Sequence, residues 1–160
     1  MFPCEFKHEA RRPTLSIRFR SPVGDLGKRF GEVYGAIVGY LAERGEEPVG
    51  PAFATYYNMD MDDMDVEAGF TVAQPVPGRG NITACELPEG TFAVCHYVGP
   101  YDGVSVAYDQ LTTFVAEQGY TPSGIAYEWY YDGPETPPEK TRTDVAFPVT
   151  PVDAKAPLAH

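Results

Sequence analysis

Positive charge is what this sequence has least of: twelve Lys and Arg residues stand against twenty-three Asp and Glu, a formal net charge of −11. Affinity for nucleic acid comes from cations that neutralise phosphates, so the charge balance argues against DNA or RNA as a direct partner. A negative field favours cationic small molecules, although it also serves plain solubility. Cysteine is scarce as well. Cys4, Cys85 and Cys95 are odd in number and have no C-x-x-C spacing, which fits reduced thiols better than disulfides or a zinc site, with Cys95 read as a small buried hydrophobe. No apolar run approaches membrane-spanning length, and the opening MFPCEFKHEARRP has no apolar signal core, so the expected compartment is the cytoplasm.

Motifs for common chemistries are absent too. There is no P-loop, G-x-G-x-x-G, H-E-x-x-H or G-x-S-x-G, so no nucleotide cofactor, catalytic metal or hydrolase elbow is expected. The acidic stretch MDMDDMD (59–65) lacks the glycine and distal glutamate of an EF-hand loop and reads as a solvated turn. Aromatics and prolines are plentiful instead, with eleven Tyr, nine Phe and sixteen Pro in 160 residues, a length that suits one domain.

The chain contains itself twice. Residues 41–58 (LAERGEEPVGPAFATYYN) align without a gap on residues 115–132 (VAEQGYTPSGIAYEWYYD), with eight of eighteen pairs identical where chance gives roughly one. The matches fall on structural punctuation, pairing Gly45 with Gly119, Pro48 with Pro122, Gly50 with Gly124, Tyr56 with Tyr130 and Tyr57 with Tyr131. With small shifts the likeness extends to Phe19 and Tyr97, Phe30 and Tyr108, and Phe70 and Phe147.

Each copy reads as strand, helix, strand, strand. In the first, 14–20 alternate as a strand, and Leu26, Phe30, Val33, Ile37, Val38 and Leu41 recur at helical spacing before Gly45. In the second, 91–98 form the strand, Asp102 is placed to cap a helix, and Val104, Tyr108, Leu111, Phe114 and Val115 make its apolar stripe. The first helix reads as about one turn longer. Aromatic strands (51–57 and 125–131) and closing strands (66–73 and 144–149) follow. The expected fold is α+β, with duplicated βαββ modules forming an antiparallel sheet. Helices would cover one face, and a ligand cleft would lie on the other, where the copies meet. Copy one spans about 12–73, a connector 74–90 and copy two about 91–150, all one domain over 1–150, with 151–160 a loose tail.

Alternate strand residues point to opposite faces, so Ala126, Glu128 and Tyr130 share one face while Tyr127, Trp129 and Tyr131 share the other. Glu128 is the exception in the apolar run IAYEWYY, and its counterpart in copy one is Ala54, so the architecture does not itself require a carboxylate there. Buried without a fixed partner, it carries a desolvation cost that a bound cation would relieve; paired with Arg or Lys, or turned to water, it is merely structural. Tyr56 and Tyr130 occupy equivalent places and offer flat rings with polar tips, suited either to ligand stacking or to sheet packing. Tyr97 ends the first strand of copy two, and its neighbour His96 reads as a surface or core histidine rather than a base.

In the second half, ELPEGTFAVCHYVGPYDGVSVAYDQLTTFVAEQGY followed by GIAYEWYYDGPETPPEKTRTDVAFPV resembles the GyrI-like small-molecule-binding domain, also the effector-binding part of multidrug-sensing transcription regulators. Four features in order carry the resemblance: G-P-Y before a helix, the strand with its glutamate and tyrosine, the D-x-P turn, and a final T-D-V-x-x-P-V strand. It extends over roughly residues 12–150. The resemblance implies a twofold βαββ repeat and a cleft lined by aromatics, with Glu128 meeting lipophilic cations or other flat ligands. Ligand-binding candidates are therefore Glu128, Tyr130, Tyr56, Tyr97, Ala54 and Ala126. The chain has no room for the helix-turn-helix module of the regulators, and so reads as a stand-alone copy that binds hydrophobic, aromatic, cationic compounds. Two alternatives follow from the same resemblance. One is a hydrolase that opens cyclopropane-type electrophiles with Glu128 and Tyr130 as catalytic residues. The other is a protein partner of gyrase, as in gyrase-inhibiting relatives.

Overall fold

The computed structural model describes residues 2–133 and 135–152. In chain order its elements are β1 (Cys4–Glu9), β2 (Arg12–Ser21), α1 (Leu26–Glu43), β3 (Ala52–Tyr56), β4 (Met64–Thr71), β5 (Thr83–Leu87), β6 (Gly90–Val98), α2 (Ser105–Glu117), β7 (Tyr120–Pro122), β8 (Ala126–Tyr130) and β9 (Arg142–Pro151). The α+β class and the duplicated strand-helix-strand-strand order are as expected. At eighteen residues against thirteen, α1 exceeds α2 by somewhat more than one turn.

Two compact units result, one of residues 10–89 and the other of residues 1–9 together with 90–160. The first is an antiparallel sheet in the order β5-β2-β4-β3 with α1 packed on β4 and β2. In the second the order is β1-β6-β9-β8, with α2 packed on β6 and β9 and short β7 paired to the end of β9. The repeat units are thus matched strand for strand, but each is completed by a segment from outside its own copy. β1 precedes β2 in the chain yet pairs with β6, while β5, within the segment read as connector, precedes β6 yet pairs with β2. Both are short and rich in polar residues, so their local sequence carries no signal for their partners.

The helices end as the repeat implies. Gly45 and Gly119, one residue past each helical C-cap, adopt φ of 72° and 79°, left-handed conformations in which a side chain would be strained. Val33, Ile37, Tyr40 and Leu41 of α1 are buried, whereas Val38, expected on the same stripe, is exposed. Asp102, expected as a capping residue, lies in a short 3-10 turn (Tyr101–Gly103), and α2 begins without a side-chain cap. Of the acidic stretch 59–65, Asp63 and Asp65 pair with Arg20 and Arg18 of β2. Of the segment expected as a loose tail, Pro151 ends β9 opposite Tyr120; residues 153–160 lie outside the described residues.

Candidate functional site

Pairing with β9 fixes the faces of β8: Tyr127 opposes Ala146, Glu128 opposes Val145, Trp129 opposes Asp144 and Tyr130 opposes Thr143. Cross-strand partners project to one side, so Glu128 and Tyr130 share a face with Val145 and Thr143, both buried completely, and Phe147 lies two residues further along β9 on that face. This is the face that α2 covers. From α2 the Tyr108 ring meets Phe147 with centroids 5.8 Å apart, and the Tyr108 hydroxyl donates to Oε2 of Glu128 at 2.5 Å. The Tyr130 hydroxyl donates to Oε1 at 2.8 Å.

Glu128 was expected on the sheet face opposite the helix, and that placement is corrected. Strand alternation sorts residues into two faces without saying which one a helix occupies, and here the carboxylate sits beneath the helix, 8% exposed. Such burial raises the Glu128 pKa above the ordinary carboxylate range, even though the hydrogen bonds from Tyr108 and Tyr130 favour the ionised form. Among the described residues no Lys or Arg pairs with it. Two tyrosine hydroxyls thus occupy two acceptor positions of a buried carboxylate that has no cation against it.

Tyr101, in the 3-10 turn ahead of α2, stands edge-on to Tyr130 with centroids 5.7 Å apart and an interplanar angle of 90°. It is 49% exposed, so the Tyr101–Tyr130 pair runs from the surface toward the carboxylate. Burial, then the charges of Asp132 and Glu128, holds its phenol pKa above the usual value.

Tyr97 braces the turn that carries Tyr101. Its hydroxyl donates to the Pro100 carbonyl at 2.6 Å, and a Cβ added at Gly103 or Gly99 would lie 2.6 or 2.9 Å from that hydroxyl. Glycine at both positions lets the Gly99–Gly103 segment fold over the ring. Tyr97, one of the ligand-binding candidates, is buried with its polar tip engaged by the Pro100 carbonyl ahead of α2. Ala126 is buried on the Glu128 face. Ala54 and Tyr56 are buried on β3 of the other unit.

Sequence reasoning placed Tyr108 on the apolar stripe of α2 and missed that its phenol reaches the carboxylate. Tyr101 was noted only as part of G-P-Y. The available signal was the pairing of Tyr108 with Phe30 in a repeat whose other copy has Ala54 instead of Glu128: at this helix position the hydroxyl is present in the copy that has the carboxylate.

On the opposite face His96 bridges two carboxylates, with Nδ1 2.7 Å from Oδ1 of Asp144 and Nε2 2.5 Å from Oε2 of Glu5, while the Tyr131 hydroxyl donates to Oδ2 of Asp144 at 2.7 Å. His96 therefore ties β1, β6 and β9 together.

Fold and site together define a duplicated α+β domain with a buried, tyrosine-bound carboxylate. The chain belongs to the family described as the GyrI-like small molecule binding domain, which matches residues 2–150. Among solved structures it is similar to the C-terminal domain of EcmrR, at 24% identity and TM-score 0.79 over 95% of this chain and 99% of that one. In the complex of EcmrR with DNA the TM-score is 0.82 at 24% identity over 94% of this chain, which spans 58% of that longer chain. A hydrolase from Listeria innocua gives 15% identity and TM-score 0.70 over 92% and 91% of the two chains. SAV2435 bound to tetraphenylphosphonium gives 13% and 0.69 over 95% and 96%. At these identities the likeness is one of fold. Comparison with curated proteins gives no match. No helix among the described residues is long and apolar enough to cross a membrane.

Proposed function

We propose that this domain holds hydrophobic, aromatic cations, with the positive charge against Glu128 and ligand rings against Tyr101 and Tyr130. The observation that carries the reading is a carboxylate 8% exposed with two tyrosine hydroxyls and no Lys or Arg among the described residues as partner. An ionised buried carboxylate is costly, and a desolvated organic cation removes that cost while stacking on electron-rich faces. The negative net charge of the chain draws such ligands in. Tetraphenylphosphonium, named with one structural neighbour, is a suitable probe. Titration should give binding to the wild type that falls at least about tenfold in Glu128→Gln, as for loss of a charge-assisted contact. The neutral, similarly shaped triphenylphosphine oxide should bind both proteins equally and poorly. Equal affinity of the cation for wild type and Glu128→Gln would overturn the reading.

One observation favours a second reading, hydrolysis of a strained electrophile. A carboxyl whose pKa is raised by burial, with phenols at 2.5 and 2.8 Å, has the parts for general acid–base chemistry: Glu128 would activate water and Tyr130 would protonate the leaving group. Turnover of a cyclopropane-bearing electrophile, lost in both Glu128→Gln and Tyr130→Phe, would establish it. Stoichiometric binding without product leaves binding alone.

A further inference from the structure

Cys4 on β1 and Cys95 on β6 are directly opposed in the antiparallel ladder. The flanking hydrogen bond runs from the His96 amide to the Pro3 carbonyl at 2.9 Å, which makes Cys4 and Cys95 a non-hydrogen-bonded pair. Cα atoms in such pairs are ~4.5 Å apart with their side chains drawn together, at the short end of the ~4.4–6.8 Å that a disulfide spans. The Cys4 thiol donates to the Phe2 carbonyl with Sγ and O 3.8 Å apart, and the nearness of Cys4 helps to hold the Cys95 pKa up. Both are free thiols and they differ in access: Cys95 is fully buried, while Cys4 is half-buried and lines a surface groove with Phe2, Gln110 and Phe114. The remaining cysteine, Cys85, stands on β5 of the other unit, opposite Thr14.

We propose that Cys4 and Cys95 form a reversible disulfide by exchange with a low-molecular-weight disulfide such as glutathione disulfide. Cys4, the accessible thiol, loses its proton and attacks one sulfur of the reagent, forming a mixed disulfide and releasing one reduced thiol. Cys95 then loses its proton, attacks the Cys4 sulfur and releases the second thiol. Two protein thiols are oxidised and the reagent disulfide is reduced to two thiols, so electrons and protons balance. The order is set by burial, which with the neighbouring Cys4 and Asp144 pushes the Cys95 thiol up to about 12 and leaves it unreactive toward solution reagents. Excess low-molecular-weight thiol reverses the exchange through the same two steps. The consequence of the linkage is mechanical. The bond would add a covalent staple between the edge strand β1 and the body of its sheet, beside the His96–Glu5 bridge and the Phe6 packing, and close a loop of about 90 residues.

Treatment of the full chain with glutathione disulfide, alkylation and peptide mass mapping tests this. The expected product links the Cys4 and Cys95 peptides, leaves Cys85 alkylated, raises Tm by roughly 5 °C or more and reverts on addition of dithiothreitol. Cys95→Ala should stall with glutathione on Cys4, and Cys4→Ala should leave Cys95 unmodified. The proposal is overturned if wild type accumulates the glutathione adduct without linkage, if Cys85 is the partner, or if Cys4 and Cys95 both remain alkylatable.

Discussion

The Tyr108 hydroxyl stands 2.5 Å from Oε2 of Glu128, a helix side chain reaching down to a strand carboxylate on the sheet face it covers. With Tyr130 on the other oxygen, the ionised form of Glu128 is held by two phenols against the burial that opposes it. Removing either donor leaves burial less opposed. Tyr108→Phe and Tyr130→Phe should each move the Glu128 pKa further up, so that cation binding, which needs the carboxylate, begins at higher pH than in wild type. At neutral pH the loss should be about tenfold or more for each variant, on the order of the ~1.5–3 kcal/mol of a hydrogen bond to a charged group. Titrations of tetraphenylphosphonium across a pH series check this; identical pH profiles for the three proteins would dissociate the phenols from the site.

The same carboxylate should weaken the fold. A folded-state pKa above the unfolded value means that the native state binds the proton more tightly, so the contribution of Glu128 to stability is greatest at low pH and falls as pH rises through the raised pKa. Above that pH the cost is fully present. Glu128→Gln, neutral and of similar shape, should therefore melt higher than wild type at about pH 8, with the difference disappearing below about pH 4. Paired thermal melts at the two pH values decide it. A variant that loses ligand and gains stability is the signature of a site kept for function.

His96 has the opposite sign. Burial disfavours its charge, but hydrogen bonds to Glu5 and Asp144 and the charges of both outweigh this and raise its pKa. Both ring nitrogens can donate only in the imidazolium, so the bridge from β1 to β9 is complete only when His96 is protonated. Its stabilising contribution is fully present below the ordinary histidine value and is lost as pH rises through the raised one. His96→Gln should accordingly lower Tm at about pH 5.5 and have a much smaller effect at about pH 9. Protection factors of the β1 amides, taken relative to intrinsic exchange at each pH, should fall between about pH 5.5 and about pH 9 in wild type and change much less in the variant.

Much of this frame was legible because duplication is a long-range signal written in local residues. Gly45 and Gly119 mark equivalent helix ends, and the alternation in IAYEWYY correctly set Glu128 and Tyr130 on one face with Trp129 on the other. Three things were not legible, each for a physical reason. Alternation has no absolute sense, so it could not say that the Glu128 face is the helix face. Helical periodicity identifies Tyr108 as inward-facing but is silent on whether its hydroxyl finds an acceptor. The exchange of β1 and β5 between the repeats is decided by pairing across more than sixty residues, as in Cys4 with Cys95 and Thr14 with Cys85, and neither short strand encodes its partner.

Phe6 tests whether that exchanged strand matters to the unit it completes. It projects from β1 to the side of α2, where its ring meets Phe114 at 4.9 Å and Tyr120 at 4.6 Å. No residue of copy two can supply this contact, because β1 lies before copy one in the chain. Removing the ring while leaving the β1 backbone should cost about 2–4 kcal/mol, the range for truncating a packed aromatic that is only partly buried. Phe6→Ala should therefore lower Tm by several degrees. Its effect should be concentrated in the unit containing Glu128, where the amides of β1, α2 and β7 lose exchange protection while those of β2 and β4 keep it. Uniform loss of protection over β2 and β4 as well would mean that the two units unfold as one, and that β1 supports the whole chain rather than the half bearing the carboxylate.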